Sequence, residues 1–268
     1  MSEQDHAFVG SIPEIYDRCM GPMIFEPYAR DLARRFEGFE GALLEVAAGT
    51  GQVTRVLAQA IAPGATIMAT DLNAPMLEWA AQVVRAPCVS WRQADAQALP
   101  FPDRTFDAVV CQFGVMFFPD KVGAFGETHR VLKPGGRYVF SVWDRLETNE
   151  VTRAVQDALA PLLPEGPPSF FSRVPFGYHD ADVIRAALAE GGFAQVEVET
   201  VTVRSHAPSA AEAAKALCMG TPLRAEIEAR RPGGLEAVVE AVAGALAREF
   251  GSGPFDSRAQ ALVVSTYA

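Results

Sequence analysis

One stretch constrains this chain more than any other: Leu43-Leu44-Glu45-Val46-Ala47-Ala48-Gly49-Thr50-Gly51-Gln52. It opens as an apolar run too short for a globular helix and closes in a Gly-x-Gly turn. Beyond it, Val53, Val56, Leu57, Ala60 and Ile61 recur at i, i+3, i+4, i+7 and i+8, one face of a helix. A strand, a glycine turn and a helix in that order set backbone N–H groups and a positive helix end beside a site where a nucleotide-like ligand can lie. A side chain at Gly49 or Gly51 is expected to block that approach.

The rest of the chain decides what the turn is for. At 268 residues, about half of them apolar, it is long enough for one large α/β domain with an appended cover. A net charge of −10 opposes binding to a phosphate backbone, so nucleic acid is not the expected partner. The polar, acidic start Met1-Ser2-Glu3-Gln4-Asp5-His6 has no basic-then-apolar leader, and no apolar run reaches the roughly 18 residues of a membrane span. Cys19, Cys88, Cys111 and Cys218 are widely spaced and form no Cys-x-x-Cys, which supports neither a metal site nor a disulfide framework. The expectation is a cytoplasmic protein without a metal.

Taken in order, Ser11 to Phe36 predicts two helical pieces broken at Gly21-Pro22, with Ile24, Tyr28 and Leu32 inward. Strands are predicted at Ala42–Val46, Ala65–Asp71, Val89–Ala94, Phe106–Cys111 and Tyr138–Trp143. Helices stand between them: one after Gly51, one capped by Asn73 with Met76, Ala80 and Val84 inward, and one capped by Asp120 with Val122, Phe125 and Leu132 inward. Lys133-Pro134-Gly135-Gly136 is expected to stop that last helix for structural reasons. Residues 145–178 hold a short helix and the proline- and phenylalanine-rich stretch Pro164 to Phe176. A helix over Asp180–Glu190, a strand over Gln195–Arg204, an Ala-rich helical insertion over 207–249 and a last strand over Ala261–Tyr267 complete the pattern. Alternating strands and helices predict an α/β fold with a doubly wound, mostly parallel sheet.

In such sheets the ligand lies outside the carboxyl ends of the strands. Those ends carry the glycine turn, Asp71, Asp95 and Gln112-Phe113. Asp71 lies 20 residues past Gly51, a spacing suited to a carboxylate on ribose hydroxyls. Two ligand classes fit so far. A nicotinamide dehydrogenase uses Gly-x-Gly-x-x-Gly, but Thr54 stands at the third position, and Glu45 would repel a pyrophosphate while attracting an ammonium. A ligand carrying a ribose and an amino acid fits better than a dinucleotide.

Four segments in series then carry a resemblance. Leu44–Gly51, Asp71-Leu72-Asn73-Ala74-Pro75-Met76-Leu77, Asp95-Ala96-Gln97-Ala98-Leu99-Pro100-Phe101 and Arg130–Gly136 resemble the successive motifs of class I S-adenosylmethionine-dependent methyltransferases. The nearest subgroup is the ubiquinone/menaquinone-biosynthesis type, which acts on small molecules. The likeness covers roughly residues 40–145. It implies a seven-stranded sheet with the last strand antiparallel and S-adenosyl-L-methionine as cofactor. By the same resemblance Ala47, Gly49, Thr50 and Gly51 lie against methionine and ribose, and Glu45 lies near the amino group. Asp71 holds the ribose, Leu72 and Met76 meet the adenine, Asp95 accepts from its amino group, and Ala96 lies beside the ring. Gln112 and Phe113 fall near the methionine or the methyl. Ala47 departs from the family's usual glycine, and its methyl is expected to tilt the turn.

The domain expected is single, over 1–268, with a cofactor-binding half at 40–145. Residues 1–38, 145–178 and 207–249 are expected to form a lid. Tyr16 is counted with the cofactor site, and Phe25, Phe117, Phe170, Phe171 and Phe176 with the pocket of a small, largely apolar acceptor. His129 reads as a core or edge histidine, His179 and His206 as surface residues, and no residue claims the role of catalytic base. The absence of Gly-x-Ser-x-Gly and His-Glu-x-x-His removes the residues of hydrolase and zinc-protease chemistry. A cofactor-binding module without catalysis is the third class, after methyltransferase and oxidoreductase.

Overall fold

In the computed structural model, residues 12–163 and 168–268 are described. Seven strands form one sheet: β1 (Ala42–Val46), β2 (Thr66–Asp71), β3 (Val89–Gln93), β4 (Phe106–Gln112), β5 (Leu132–Trp143), β6 (Val196–Ala207) and β7 (Phe255–Tyr267), in the order β3-β2-β1-β4-β5-β7-β6. β1 to β5 pair in parallel, and β7 runs antiparallel to β5. The chain steps outward from β1 to β2 and β3, then returns to β4 on β1's other side. The switch point therefore lies between β1 and β4, where the glycine turn leaves the sheet.

The helices are α1 (Ile12–Ile15), α2 (Glu26–Arg34), α3 (Gln52–Ala60), α4 (Ala74–Val83), α5 (Lys121–Val131), α6 (Glu150–Leu159), α7 (Phe170–Arg173), α8 (Ala181–Glu190), α9 (Ala210–Met219), α10 (Leu223–Arg230) and α11 (Leu235–Phe250). The described residues fall into two compact units. One comprises residues through Pro27, Asp144–Gly177 and Thr202–Gln260; the other is Tyr28–Trp143, Tyr178–Val201 and Ala261–Ala268. Part of the expected lid, residues 1–11 and 164–167, lies outside the described residues.

The second unit is the sheet and its flanking helices. On one face Leu32, Phe36, Val53 and Leu57 pack on Leu43, Ala69, Val110 and Val139, all buried. On the other, Phe125 of α5 packs against Tyr138 and Phe140 of β5. Burying some ten such apolar side chains, at about 1.5–3 kcal/mol each, is what keeps these helices on the sheet.

Several local expectations are corrected. Gly21-Pro22 does not break the N-terminal helix; Tyr16–Phe25 is one π-helix with Pro22 inside it. The wider winding carries the ring past the carbonyl it would meet in an α-helix. Leu132 is not on the inner face of α5: the helix ends at Val131, and its buried residues are Ala124, Phe125, Thr128 and Val131, with Val122 only half-buried. Leu132 starts β5 instead, and Lys133–Gly136 form an irregularity inside that strand, between the Phe106–Leu132 and Ala108–Arg137 pairs. Lys133 Nζ reaches Asp107 Oδ1 at 2.8 Å, while Asp107 Oδ2 accepts from the Ala42 N–H. That motif pins β1, β4 and β5 together. β6 and β7 run longer than predicted: their added ends alternate buried and exposed, but the small polar Ser205 and Ser257 take buried positions, so hydropathy does not mark them.

The first unit is mostly helical and also holds the end of β6 and the start of β7. Ala210, Ala213, Ala214 and Ala216 are buried, and their small side chains let α9 lie close against α11. Glu226 of α10 accepts from the Ser169 N–H and pairs with Arg173 at 3.0 Å, fixing both ends of α7. Among the described residues, no helix is long and apolar enough to cross a membrane.

Candidate functional site

Register puts four polar side chains in a row across the sheet. Glu45 is aligned with Ala69 on β2 and Val110 on β4, so Asp71 and Gln112, two residues further along, share its face. Ser141 on β5 is aligned with Gln112 and continues the row. Asp71, Glu45, Gln112 and Ser141 thus stand side by side near the carboxyl ends of four neighbouring strands.

Asp71 is 7% exposed, and main-chain donors hold it. Its Oδ2 accepts from the Gly49 N–H at 2.8 Å, and its Oδ1 from the Asn73 N–H at 2.8 Å. Oδ2 keeps a second lone pair for an outside donor. Burial pushes its carboxyl up, while the Asn73 and Gly49 N–H groups pull the other way. Asn73 occupies the N-cap position of α4 but makes no capping bond; its side chain turns back to Asp71 Oδ1 at 3.4 Å.

Glu45 is 2% exposed, and desolvation raises its pKa to about 8. The hydroxyl and N–H of Thr54 face it and oppose that shift. Even so, Glu45 Oε2, Thr54 Oγ1 and the nearby Thr50 Oγ1 complete no hydrogen bond of ordinary geometry. An unpaired buried oxygen costs about 1–3 kcal/mol, so three around one turn mark a place built for another donor.

The turn is shaped for close approach on one side only. Gly49 has φ +56°, and a Cβ there would meet only Met76 Cε at 3.9 Å, with open space beyond. Gly51 differs from expectation: its Cβ would fall 2.8 Å from Val84 Cγ2 and 3.3 Å from Ala80 Cβ, so glycine there lets α4 pack closely rather than clearing a ligand's path. Ala47 keeps a left-handed φ of +56° despite its side chain. Gly114 answers it across the switch point, because a Cβ at 114 would sit 2.5 Å from the Ala47 methyl. Phe113 also has a positive φ, +53°, and strain of this kind concentrates at functional sites. Its ring stacks on Trp143 at 3.8 Å, with Tyr28 edge-on to both.

Asp95 lies past the end of β3 rather than on it, in a bridge with Ala98. It is half-buried, Ala96 and Met76 are buried, and Leu72 is half exposed, with its carbonyl held by Gln93 Nε2 at 2.8 Å. Phe117 is half-buried in a short 3-10 turn after β4. These residues, with the row and the turn, all belong to the second unit.

Tyr16, Phe25, Phe170, Phe171 and Phe176 belong to the first. Tyr16 stacks on Phe25 at 4.7 Å, and Phe171 packs on both Phe170 and Phe176. His129 packs edge-on to Phe193, and His206 pairs with Asp256 at 2.8 Å. Among the described residues, no cluster of His, Cys, Asp and Glu could hold a metal.

Sequence reasoning missed Thr54, Ser141, Gln97 and Gly114. Ser141 had a signal, as the one polar residue in the apolar run Tyr138–Trp143. Thr54 was read only as a glycine that was not there.

A buried carboxylate missing a donor, a cradle beside Gly49 and a second carboxylate at the next strand end together fit a ligand with an ammonium and vicinal hydroxyls. Comparison with known proteins agrees. Residues 44–140 match the model of a methyltransferase domain family. A demethylmenaquinone methyltransferase of Thermus thermophilus is 46% identical over 99 residues, 36% of this chain and 44% of that protein. The ubiquinone/menaquinone biosynthesis C-methyltransferase of Pseudomonas aeruginosa is 30% identical over 173 residues, 60% of this chain and 68% of that protein. The chain thus spans less than half of the first relative and about two thirds of the second. Among solved structures, the YcgJ protein of Bacillus subtilis superposes with a TM-score of 0.55 at 18% identity, covering 90% of this chain and 98% of that one, which speaks to the fold alone.

Proposed function

From the premise that this chain belongs to the class I S-adenosylmethionine-dependent methyltransferases of the ubiquinone/menaquinone-biosynthesis type, we propose that it methylates a small, largely apolar acceptor. S-adenosyl-L-methionine is the cofactor, and its sulfonium supplies an already activated methyl group. The protein's share of the work is to bind, orient and exclude water, so that the acceptor atom stands in line at near-attack distance.

The roles follow from the environments. Glu45, with an oxygen lacking a donor, receives the ammonium, and the cationic partner draws its carboxyl into the ionised form. Asp71, with a lone pair left on Oδ2, accepts from the ribose hydroxyls. Gly49 gives the backbone room beside Met76, whose side chain with Leu72 meets the adenine. Asp95 accepts from the adenine amino group, and Ala96 lies beside the ring. Gln112 and Phe113 are placed near the methionine or the methyl. The observation that carries the reading is the buried Glu45 carboxylate, whose Oε2 lacks a hydrogen bond, near the open space at Gly49.

For the acceptor, quinol-type rings are the first class to try, because the relatives are named for quinone biosynthesis. The phenylalanines at 25, 117, 170, 171 and 176 stay our candidates for its apolar walls. The four unpaired cysteines favour a reducing compartment such as the cytoplasm, which fractionation of cells would test. The deciding experiment offers labelled methyl donor with a panel of quinols, phenols, thiols and lipids beside DNA, RNA and peptide. Labelling of one small apolar class supports the reading. Labelling of macromolecules alone overturns the acceptor class while leaving the cofactor. Titration with NAD(H) serves as the control against an oxidoreductase, and no binding is expected.

A further inference from the structure

The loop after β3 contains a link that neither the family likeness nor the site reading uses. Asp95 Oδ1 accepts twice from one residue: from the Gln97 N–H at 2.9 Å and from its side-chain Nε2 at 3.2 Å. Oδ2 receives only that same Nε2, at 3.4 Å. One carboxylate oxygen is therefore anchored, and the other keeps nearly all its capacity to accept. The far atom of the same amide, Gln97 Oε1, accepts from the Asp120 N–H at 2.9 Å. Asp120 is the N-cap of α5, with its own side chain committed to the Gly123 N–H. Flipping the Gln97 amide would set oxygen against carboxylate and NH₂ against N–H, so its two partners fix its orientation.

The rest of the loop is clamped to the same helix. Glu127 Oε2 accepts from the Leu99 N–H at 2.8 Å, and Arg130 donates to the Leu99 and Phe101 carbonyls and pairs with Asp103. The segment from Asp95 to Asp103 thus takes its position from α5, and Gln97 is the only side chain in these contacts that touches both the helix start and the Asp95 carboxylate.

We infer that Gln97 is a positioning residue: it turns the free oxygen of Asp95 toward the ligand and so makes the site select a purine bearing a 6-amino group. This deepens the reading of Asp95 given above and rests on it. Gln97→Glu isolates the effect. Glutamate still offers an oxygen to the Asp120 N–H, but it cannot donate to Asp95, and it sets a like charge beside it.

The test is calorimetric titration of the full chain and its variants with S-adenosylhomocysteine and with its purine-riboside analogue, which lacks the 6-amino group. The readout is the ratio of the two affinities within each protein, so a general loss of folded molecules cancels. Wild type should prefer S-adenosylhomocysteine by about tenfold, the value of a hydrogen bond to a charged group. Gln97→Glu should bring the ratio near one by weakening only the amino-bearing ligand, and Gln97→Met, which has neither donor nor acceptor, should do the same. Asp95→Ala should also abolish the preference. If Asp95→Ala abolishes it and both Gln97 variants keep it, the inference about Gln97 is wrong and the Asp95 reading stands. If Asp95→Ala keeps the wild-type ratio, the Asp95 reading fails and takes the inference with it. Equal weakening of both ligands in the Gln97 variants, at an unchanged ratio, likewise overturns the positioning role.

Discussion

Two carboxylates, Asp71 and Asp95, stand at the ends of neighbouring strands, and the chain secures them in opposite ways. Asp71 is buried, and backbone N–H groups from two separate turns hold it. Asp95 is half-buried and is held by a single neighbouring residue, largely through a replaceable side chain. The difference follows from position. β2 is an interior strand beside β1, so the glycine turn crosses directly over its end, whereas β3 is the sheet's edge and its loop is held by side chains of α5 and by Gln97. A main-chain cradle is fixed once the fold forms. A side-chain cradle can be retuned by one substitution, which makes the edge the adjustable side of the site.

The largest expected effect is on the fixed side. Gly49→Val should abolish binding of S-adenosylhomocysteine, because the new side chain enters the open space beside Met76 and must adopt a left-handed φ. Calorimetry shows this directly, and tight binding by a variant that melts normally would place the ligand elsewhere. Asp71→Ala comes next, weakening binding roughly tenfold to a hundredfold, since the lost bonds involve a charged group worth about 1.5–3 kcal/mol. Asp95→Ala should cost less, because solvent competes at the edge; an equal or larger loss there would erase the contrast between the two sides.

The pH dependence tests the buried side, where Glu45 and Asp71 both carry raised carboxyls. Glu45 has a folded-state pKa of about 8 against an ordinary value of 4.5, and Asp71 is shifted in the same direction. Between those values the native chain holds protons that the unfolded chain has released. Stability without ligand therefore falls as pH rises through that window. Cofactor binding runs the other way: an ammonium favours ionised Glu45, so affinity should rise toward pH 8 with release of a proton. Glu45→Gln should flatten both trends, and denaturant melts and titrations across the range would show whether it does.

The smallest effect concerns the turn itself. Ala47→Gly relieves a left-handed alanine, about 1–2 kcal/mol, but adds unfolded-state freedom and loses the methyl's contacts, so stability should change by no more than about 1 kcal/mol. Gly114→Ala should be costlier, and less so when combined with Ala47→Gly. Additive effects in that double-mutant cycle would show that the two residues do not share their space.

The site's outline was legible because each motif sits at a strand end, where period-2 burial gives way to glycine or a carboxylate within a few residues. Asp71 was a candidate by its spacing from Gly51, Gly49 by its place in the turn and Glu45 by its charge beside it. Ala47 was read as a departure that tilts the turn, but its consequence could not be read, because Gly114 accommodates it from 67 positions further along the chain. Nor could the sequence show that the missing side chain of Gly51 makes room for Val84 and Ala80. The π-helix at Tyr16–Phe25 looked like a break because proline has one strong meaning in a local reading.

The sequence by itself determined the alternation of strands and helices, the doubly wound class and the residues that end the first two strands. Those are local properties: hydrophobic period, turn chemistry and short spacings, each set between neighbouring elements. Only the tertiary structure decided the strand order, the row of Asp71, Glu45, Gln112 and Ser141, the missing partner of Glu45 and the Gln97 link between Asp95 and α5. Each depends on which distant segments share a face, and on whether a polar atom has a partner once water is excluded, and no local pattern encodes either.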